Sequence, residues 1–188
     1  MQLSSSSSFV DRVIGAIRLD PATYEAVEHD TDATWQAALV VVVAAIFSGV
    51  GSSGGQTRGL VGGVLASVVF WAIFALFAYL VGAYLLRGPQ TSATFGEVLR
   101  TLGFSYAPSL VAILGLIPGT GFVFTFIAAI WSLIASVIAL RQALEVSTGR
   151  AVAVVVVAFL AMFAVLAVIV AIFGISIVGI DRLTSGPA

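Results

Sequence analysis

Cysteine is absent from the chain, lysine is absent too, and the single histidine is His29. Without cysteine there are no disulfides, no thiolate nucleophile and no thiolate metal site. Charge is scarce: 9% of residues are charged, whereas a soluble domain carries about 25%. A globular surface this poor in ions would leave large apolar patches in water. The net charge of −1 gives no field that would attract nucleic acid or anionic lipid. The eight basic residues are all arginine, and with the abundance of Ala and Val this points to GC-rich coding and a prokaryotic source.

What the chain has in plenty is apolar sequence, 60% of its 188 residues. A bilayer accommodates such a chain, because lipid solvates apolar side chains. Five apolar stretches stand out: 35–50, 60–86, 103–117, 122–140 and 151–180. A span needs roughly 20 apolar residues. The second, fourth and fifth meet this; the first and third fall short, so their ends are expected to extend into flanking polar residues. The runs are continuous rather than alternating, which excludes a membrane barrel. The fold class expected is therefore all-α, a polytopic membrane bundle of five transmembrane helices preceded by a short amphipathic helix.

Ahead of the spans, residues 1–8 lack the basic and apolar regions of a signal peptide and are expected to be a disordered tail. In 9–19, Phe9, Val10, Val13, Ile14 and Ile17 share a helical face, with Asp11, Arg12 and Arg18 on or near the other. Such a helix either lies in the membrane interface or packs against the protein's own cytoplasmic side. Asp20-Pro21 reads as an N-cap and first-turn proline opening a short acidic helix, in which Glu28 is expected to be solvated. The segment 9–34 thus precedes a single membrane domain, 35–180, and a tail, 181–188.

Orientation follows from the arginines. With the N-terminus in the cytoplasm, that side receives Arg12, Arg18, Arg87, Arg100, Arg141 and Arg150, and the outside receives Arg58 and Arg182. The expected localisation is the cell membrane, with a cytoplasmic N-terminus, an external C-terminus, and 1–34, 87–102 and 141–150 in the cytoplasm.

Small residues recur every four positions in Gly59-Gly63-Ser67, in Ala128-Ser132-Ser136 and, more briefly, in Ala167-Ala171. Such ridges let helices approach closely in lipid. Trp71 and Trp131 lie mid-span, too deep for an interfacial belt; each indole N–H needs an acceptor, for which Ser67 and Ser132 are candidates. Pro108 interrupts the third span and deprives the Phe104 carbonyl of its partner, so Ser105, Tyr106 or water must compensate, or the helix must bend. Thr94 to Glu97 fits a capping box, and Glu97 with Arg100 or Arg141 is expected to form an interfacial ion pair.

No catalytic constellation emerges. No Asp, Glu, Arg or His falls inside the five apolar stretches, and the Ser132 and Ser136 hydroxyls have no base there. No catalytic residue, cofactor or metal ligand is expected, and the chain reads as a non-enzyme.

The segment Phe95-Gly96-Glu97-Val98-Leu99-Arg100-Thr101-Leu102-Gly103-Phe104-Ser105-Tyr106-Ala107-Pro108 resembles the start of the third span in the Yip family, the five-span Ypt/Rab-interacting membrane proteins. The stretch Ile130-Trp131 to Arg141-Gln142-Ala143, followed by Ser147-Thr148-Gly149-Arg150-Ala151, is similar to that family's fourth and fifth spans. The resemblance covers roughly residues 10–175. It implies five spans, a cytoplasmic N-terminus and, by analogy with eukaryotic members, roles in membrane traffic and shaping. The chain lacks their long N-terminal region, so a Rab-type GTPase is not the expected partner. The expected function is that of a membrane scaffold or adaptor, with membrane lipid and other membrane proteins or further copies of itself as partners, and no nucleic acid. The rival reading is a small transporter or channel-like subunit with a cavity around Pro108, Tyr106 and Trp131.

Overall fold

The computed structural model describes residues 8–89 and 91–184; for 173–184 it describes the backbone alone. It is helical throughout, with no strand among the described residues. Two short helices, α1 (Phe9–Ile17) and α2 (Pro21–His29), precede α3 (Ala33–Ser52) and α4 (Leu60–Leu80). α4 ends in a π-helical turn, Val81–Leu85. Then come α5 (Phe95–Phe104), a 3-10 segment (Ala107–Leu116), α6 (Gly121–Ala143) and α7 (Thr148–Thr184).

Five of these helical stretches are long and apolar enough to cross a membrane: Ala33–Ser52, Leu60–Leu85, Phe95–Leu116, Gly121–Ala143 and Thr148–Ile172. The first and third extend into polar sequence as expected. The third does so far enough to correct one boundary. The apolar stretch expected from 103 is preceded in the span by residues 95–102, which begin at the expected Thr94 cap, so Glu97 and Arg100 lie within the span at its start. At the other extreme, α7 runs to Thr184, four residues into the expected tail, while 185–188 and residues 1–7 of the expected N-terminal tail lie outside the described residues.

Local chemistry sets the helix starts. Ser8 and Asp11 form a reciprocal capping box on α1. The Asp20 carboxylate accepts from the Ala22 N–H at 3.2 Å, with Pro21 opening α2. Thr94 and Glu97 form the expected box on α5, with the Thr94 N–H donating to Glu97 Oε2 at 2.7 Å. At Pro108 the third span neither continues nor simply kinks. The α-helix stops at Phe104, turns through Ser105 and Tyr106, and resumes as the tighter 3-10 helix. A 3-10 helix bonds each N–H to a carbonyl three residues back, and proline at its first turn removes a donor that has no partner there in any case.

The core is not centred in the bundle. The largest fully buried side chains, Tyr24, Phe104, Leu102, Leu140, Leu144 and Val27, gather where α2, α5 and α6 meet, at the end capped by α1 and α2. This end is the N-terminal face. Arg12 and Ala16 form the buried seam of α1, and Phe9 stacks on Trp35 with centroids 6.4 Å apart. Helix α1 therefore packs on the protein, with Val10 and Ile14 left exposed. The expected polar face is corrected at Arg12, which points inward because its guanidinium pairs with Asp30 at 2.6 Å and donates to Gln36 Oε1.

Toward the opposite, far face the bundle opens. No residue of α4 between Leu60 and Phe70 is buried, and none of α7 between Phe163 and Ile172. By contrast α3 and the 3-10 segment stay in close contact there, because Gly51 and Gly115 face each other: a Cβ on Gly115 would lie 2.7 Å from the Gly51 carbonyl oxygen. Exposed Trp35 and Tyr84 at the N-terminal face match the aromatic girdle of a membrane boundary.

Candidate functional site

The break at Pro108 decides where hydroxyls fall. Tyr106 sits in the turn between the two helix types, and Ser105 and Ser109 flank it. Ser105 is buried and returns its hydroxyl to the Leu102 carbonyl at 2.7 Å. Ser109 reaches across to α6, where its hydroxyl and that of Ser132 lie 2.7 Å apart. Ser136, one turn further along α6, donates to the Leu133 carbonyl at 2.8 Å.

Two cavities meet at this place. One is a mid-bundle cleft of about 720 Å³ between α4, α5, α6 and α7, walled by Phe74, Phe159 and Leu160 and lined by the hydroxyls of Ser105, Tyr106, Ser109, Ser132 and Ser136. It has no charged lining residue. The other, of about 380 Å³, lies between the far halves of α3 and α4 and is more polar, with Ser48, Gln56, Arg58 and Thr125 in its wall. Tyr106 and Ser109 line both. Thr125 Oγ1 is buried there without a hydrogen-bond partner.

The expected site residues divide between the two ends. Gly59, Gly63 and Ser67 line the far cavity, and the Ser67 hydroxyl donates to the Gly63 carbonyl at 2.9 Å. A Cβ on Gly63 would meet nothing within 4 Å, so the ridge faces α3 across the cavity and no helix packs directly on Gly63. The second ridge is internal: Ala128 and Ser136 are buried, and Ser132 is bonded to Ser109. Ala167 and Ala171 are exposed. Pro108 is buried against the bundle and Trp131 is half-buried, and neither lines a cavity, so Tyr106 alone of the three named for a cavity is part of one. Trp71 donates to the Leu99 carbonyl at 3.1 Å rather than to a serine.

The expected ion pair of Glu97 is also corrected. Among the described residues, no arginine approaches within salt-bridge distance of it. Glu97 is occupied by its capping box, and Arg141 Nε donates to Gln142 Oε1 at 3.2 Å. Arg100 is buried and donates to the Val27 and Glu28 carbonyls. These carbonyls belong to the last turn of α2, where the helix dipole is negative, and this explains how a buried guanidinium is satisfied without a carboxylate.

Sequence reasoning missed the environment of Glu28. It is 8% exposed, not solvated, and its Oε2 is buried without a partner. The spacing held the signal: Tyr24, Val27 and Glu28 follow i, i+3, i+4 and so share the buried face of α2. Burial and, after it, neighbouring Glu25 push the Glu28 carboxyl up to about 7. Arg12 holds the Asp30 carboxyl below the usual range, and the Glu25 carbonyl, bonded to the His29 ring, raises His29.

The serine hydroxyls of the mid-bundle cleft face one another or backbone carbonyls, and no carboxylate or imidazole shares that cleft. Among the described residues, no group of three or more His, Asp or Glu could hold a metal ion. The family model of the Yip1 domain matches residues 14–170. The chain belongs to the Yip1 domain family. The Yip1 match begins in α1 and ends in α7, so it takes in all five spans and both cavities. This Yip1 domain protein is a multi-pass membrane protein. No curated protein and no solved structure matches it.

Proposed function

We propose that this Yip1 domain protein is a non-enzymatic membrane scaffold or adaptor that acts through helix–helix contacts with other membrane proteins or further copies of itself. Its place would be the cell membrane, with the N-terminal face in the cytoplasm. The reading is carried by the far half of α4, where the Gly59-Gly63-Ser67 ridge has open space beside it. In lipid, apolar burial does not drive helices together; close backbone approach does, and small residues permit it. The exposed stretch of α7 from Phe163 to Ala171 adds a second surface. The test is Gly63→Leu, followed by crosslinking in native membranes. Lost crosslinked species with unchanged monomer folding supports the reading; unchanged crosslinking refutes an interface at this ridge.

A second reading, a small transporter or channel-like subunit, draws support from the two cavities that share Tyr106 and Ser109. It requires the purified protein in liposomes to carry a solute flux that Tyr106→Ala changes.

A further inference from the structure

Helices α1 and α2 close the N-terminal face through polar attachments. Arg12 holds Asp30 and Gln36. Arg100, from α5, holds the last carbonyls of α2. Gln142, at the end of α6, donates to Glu25 Oε2 at 3.2 Å. Beneath these attachments Glu28 is buried, with Oε2 unbonded.

Three of the four charged groups acting on Glu28 oppose its charge. Glu25 lies on its own helix, Glu97 on α5 and Glu145 in the turn between α6 and α7, and all three act on it as like charges. His29 is the opposing influence, but it is exposed. Of the nearby arginines, Arg100 is engaged with backbone carbonyls, Arg141 with Gln142, and Arg12 with Asp30 and Gln36. None lies within 4 Å of the Glu28 carboxylate. A buried carboxylate with neither cation nor donor is tolerated when protonated and costly when ionised.

We infer that Glu28 is the proton-sensitive element of a latch: protonated, it lets α2 lie on α5 and α6; ionised, it drives α2 off the bundle. Release brings out the fully buried Tyr24 and Val27 and uncovers the ends of α5 and α6 that they cover. The direction in pH follows from linkage. The carboxyl is raised from an ordinary 4.5 to about 7 when docked. Its contribution to docking is therefore complete below pH 4.5 and is lost as pH rises through about 7, by about tenfold in the docking equilibrium for each pH unit between.

The absence of native cysteine makes the test direct. Spin labels at Ala26→Cys and Gly149→Cys occupy exposed positions on α2 and at the start of α7. Their separation is measured in the full-length protein in lipid nanodiscs from about pH 4.5 to about pH 8. The expected result is one narrow distance in acid that gives way to a longer, broader population toward neutrality. Glu28→Gln, which mimics the protonated acid, is expected to stay docked throughout. Glu145→Gln, which removes one repelling charge and so makes the ionised carboxylate less costly when docked, is expected to weaken the transition and leave more of the docked population at neutral pH. A wild-type distance that does not change with pH overturns the inference. So does a Glu28→Gln protein that still opens, or a transition abolished by His29→Gln and kept by Glu28→Gln.

Discussion

The Trp71 indole donates to the Leu99 carbonyl at 3.1 Å, and this bond ties the middle of the second span to the first turns of the third. Trp71→Phe keeps most of the ring and removes the donor. It is expected to lower stability in detergent by about 0.5–1.5 kcal/mol. Ser67→Ala, which deletes a hydroxyl bonded within its own helix, is expected to have a smaller effect. Thermal unfolding followed by circular dichroism distinguishes them, and equal losses would mean that the inter-helix bond contributes nothing.

Gly103 lies where α5 presses on α3. A Cβ there would sit 2.6 Å from the Ala37 Cβ and 3.1 Å from the Trp71 ring. The backbone of α3 cannot yield as a flexible side chain could. Gly103→Ala is expected to destabilise by about 1–3 kcal/mol, whereas Gly63→Ala is expected to be neutral, since open space surrounds that position. Comparing the two melting temperatures checks the contrast.

Arg100 and Glu97 are three residues apart and do unrelated jobs. Removing Glu97 costs the helix start one capping interaction, about 1 kcal/mol. Arg100→Leu removes the guanidinium donor from the Glu28 carbonyl and one of two donors from the Val27 carbonyl, which keeps the Asp30 N–H; an unsatisfied buried carbonyl costs about 1–3 kcal/mol. Arg100→Leu is therefore expected to be the more damaging, and to loosen α2 selectively. Limited proteolysis between residues 18 and 32 reads this out; cleavage no faster than in Glu97→Ala would refute it.

Topology is testable with the same cysteine-free background. With the N-terminal face in the cytoplasm, Ser52→Cys is expected to react with an impermeant thiol reagent in intact cells, and Gly149→Cys only after lysis. The reverse pattern would invert the orientation.

The five spans were legible because each is a long apolar run, and so was the capping box at Thr94, because its signal is local. The Asp20-Pro21 start of α2 was equally plain. What misled was the assumption that polar sequence is solvated. Arg12, Glu28 and Arg100 are buried, and nothing in their immediate neighbours in sequence says so; their partners lie on other helices, as with Arg100 and α2. Periodicity gave a better guide than residue type at Glu28, which lines up with Tyr24 and Val27. The two small-residue ridges looked equivalent in sequence. Which of them faces a neighbour depends on how far α4 leans from α3, a property of the assembled bundle.

The 3-10 segment from Ala107 to Leu116 also settles how the weakest span reaches across the bilayer. Ten residues rise about 20 Å at the 3-10 pitch, against about 15 Å in an α-helix. The gain is close to one α-helical turn, obtained by stretching the coil instead of adding residues. Pro118 and Gly119, the hairpin at its far end, are held out by that extra reach. A variant such as Pro108→Ala that let the segment relax to α-helix would shorten the third span and draw this hairpin toward the hydrocarbon. The adjoining ends of α3 and α6, held against it by Gly51, Gly115 and Gly121, would be drawn with it.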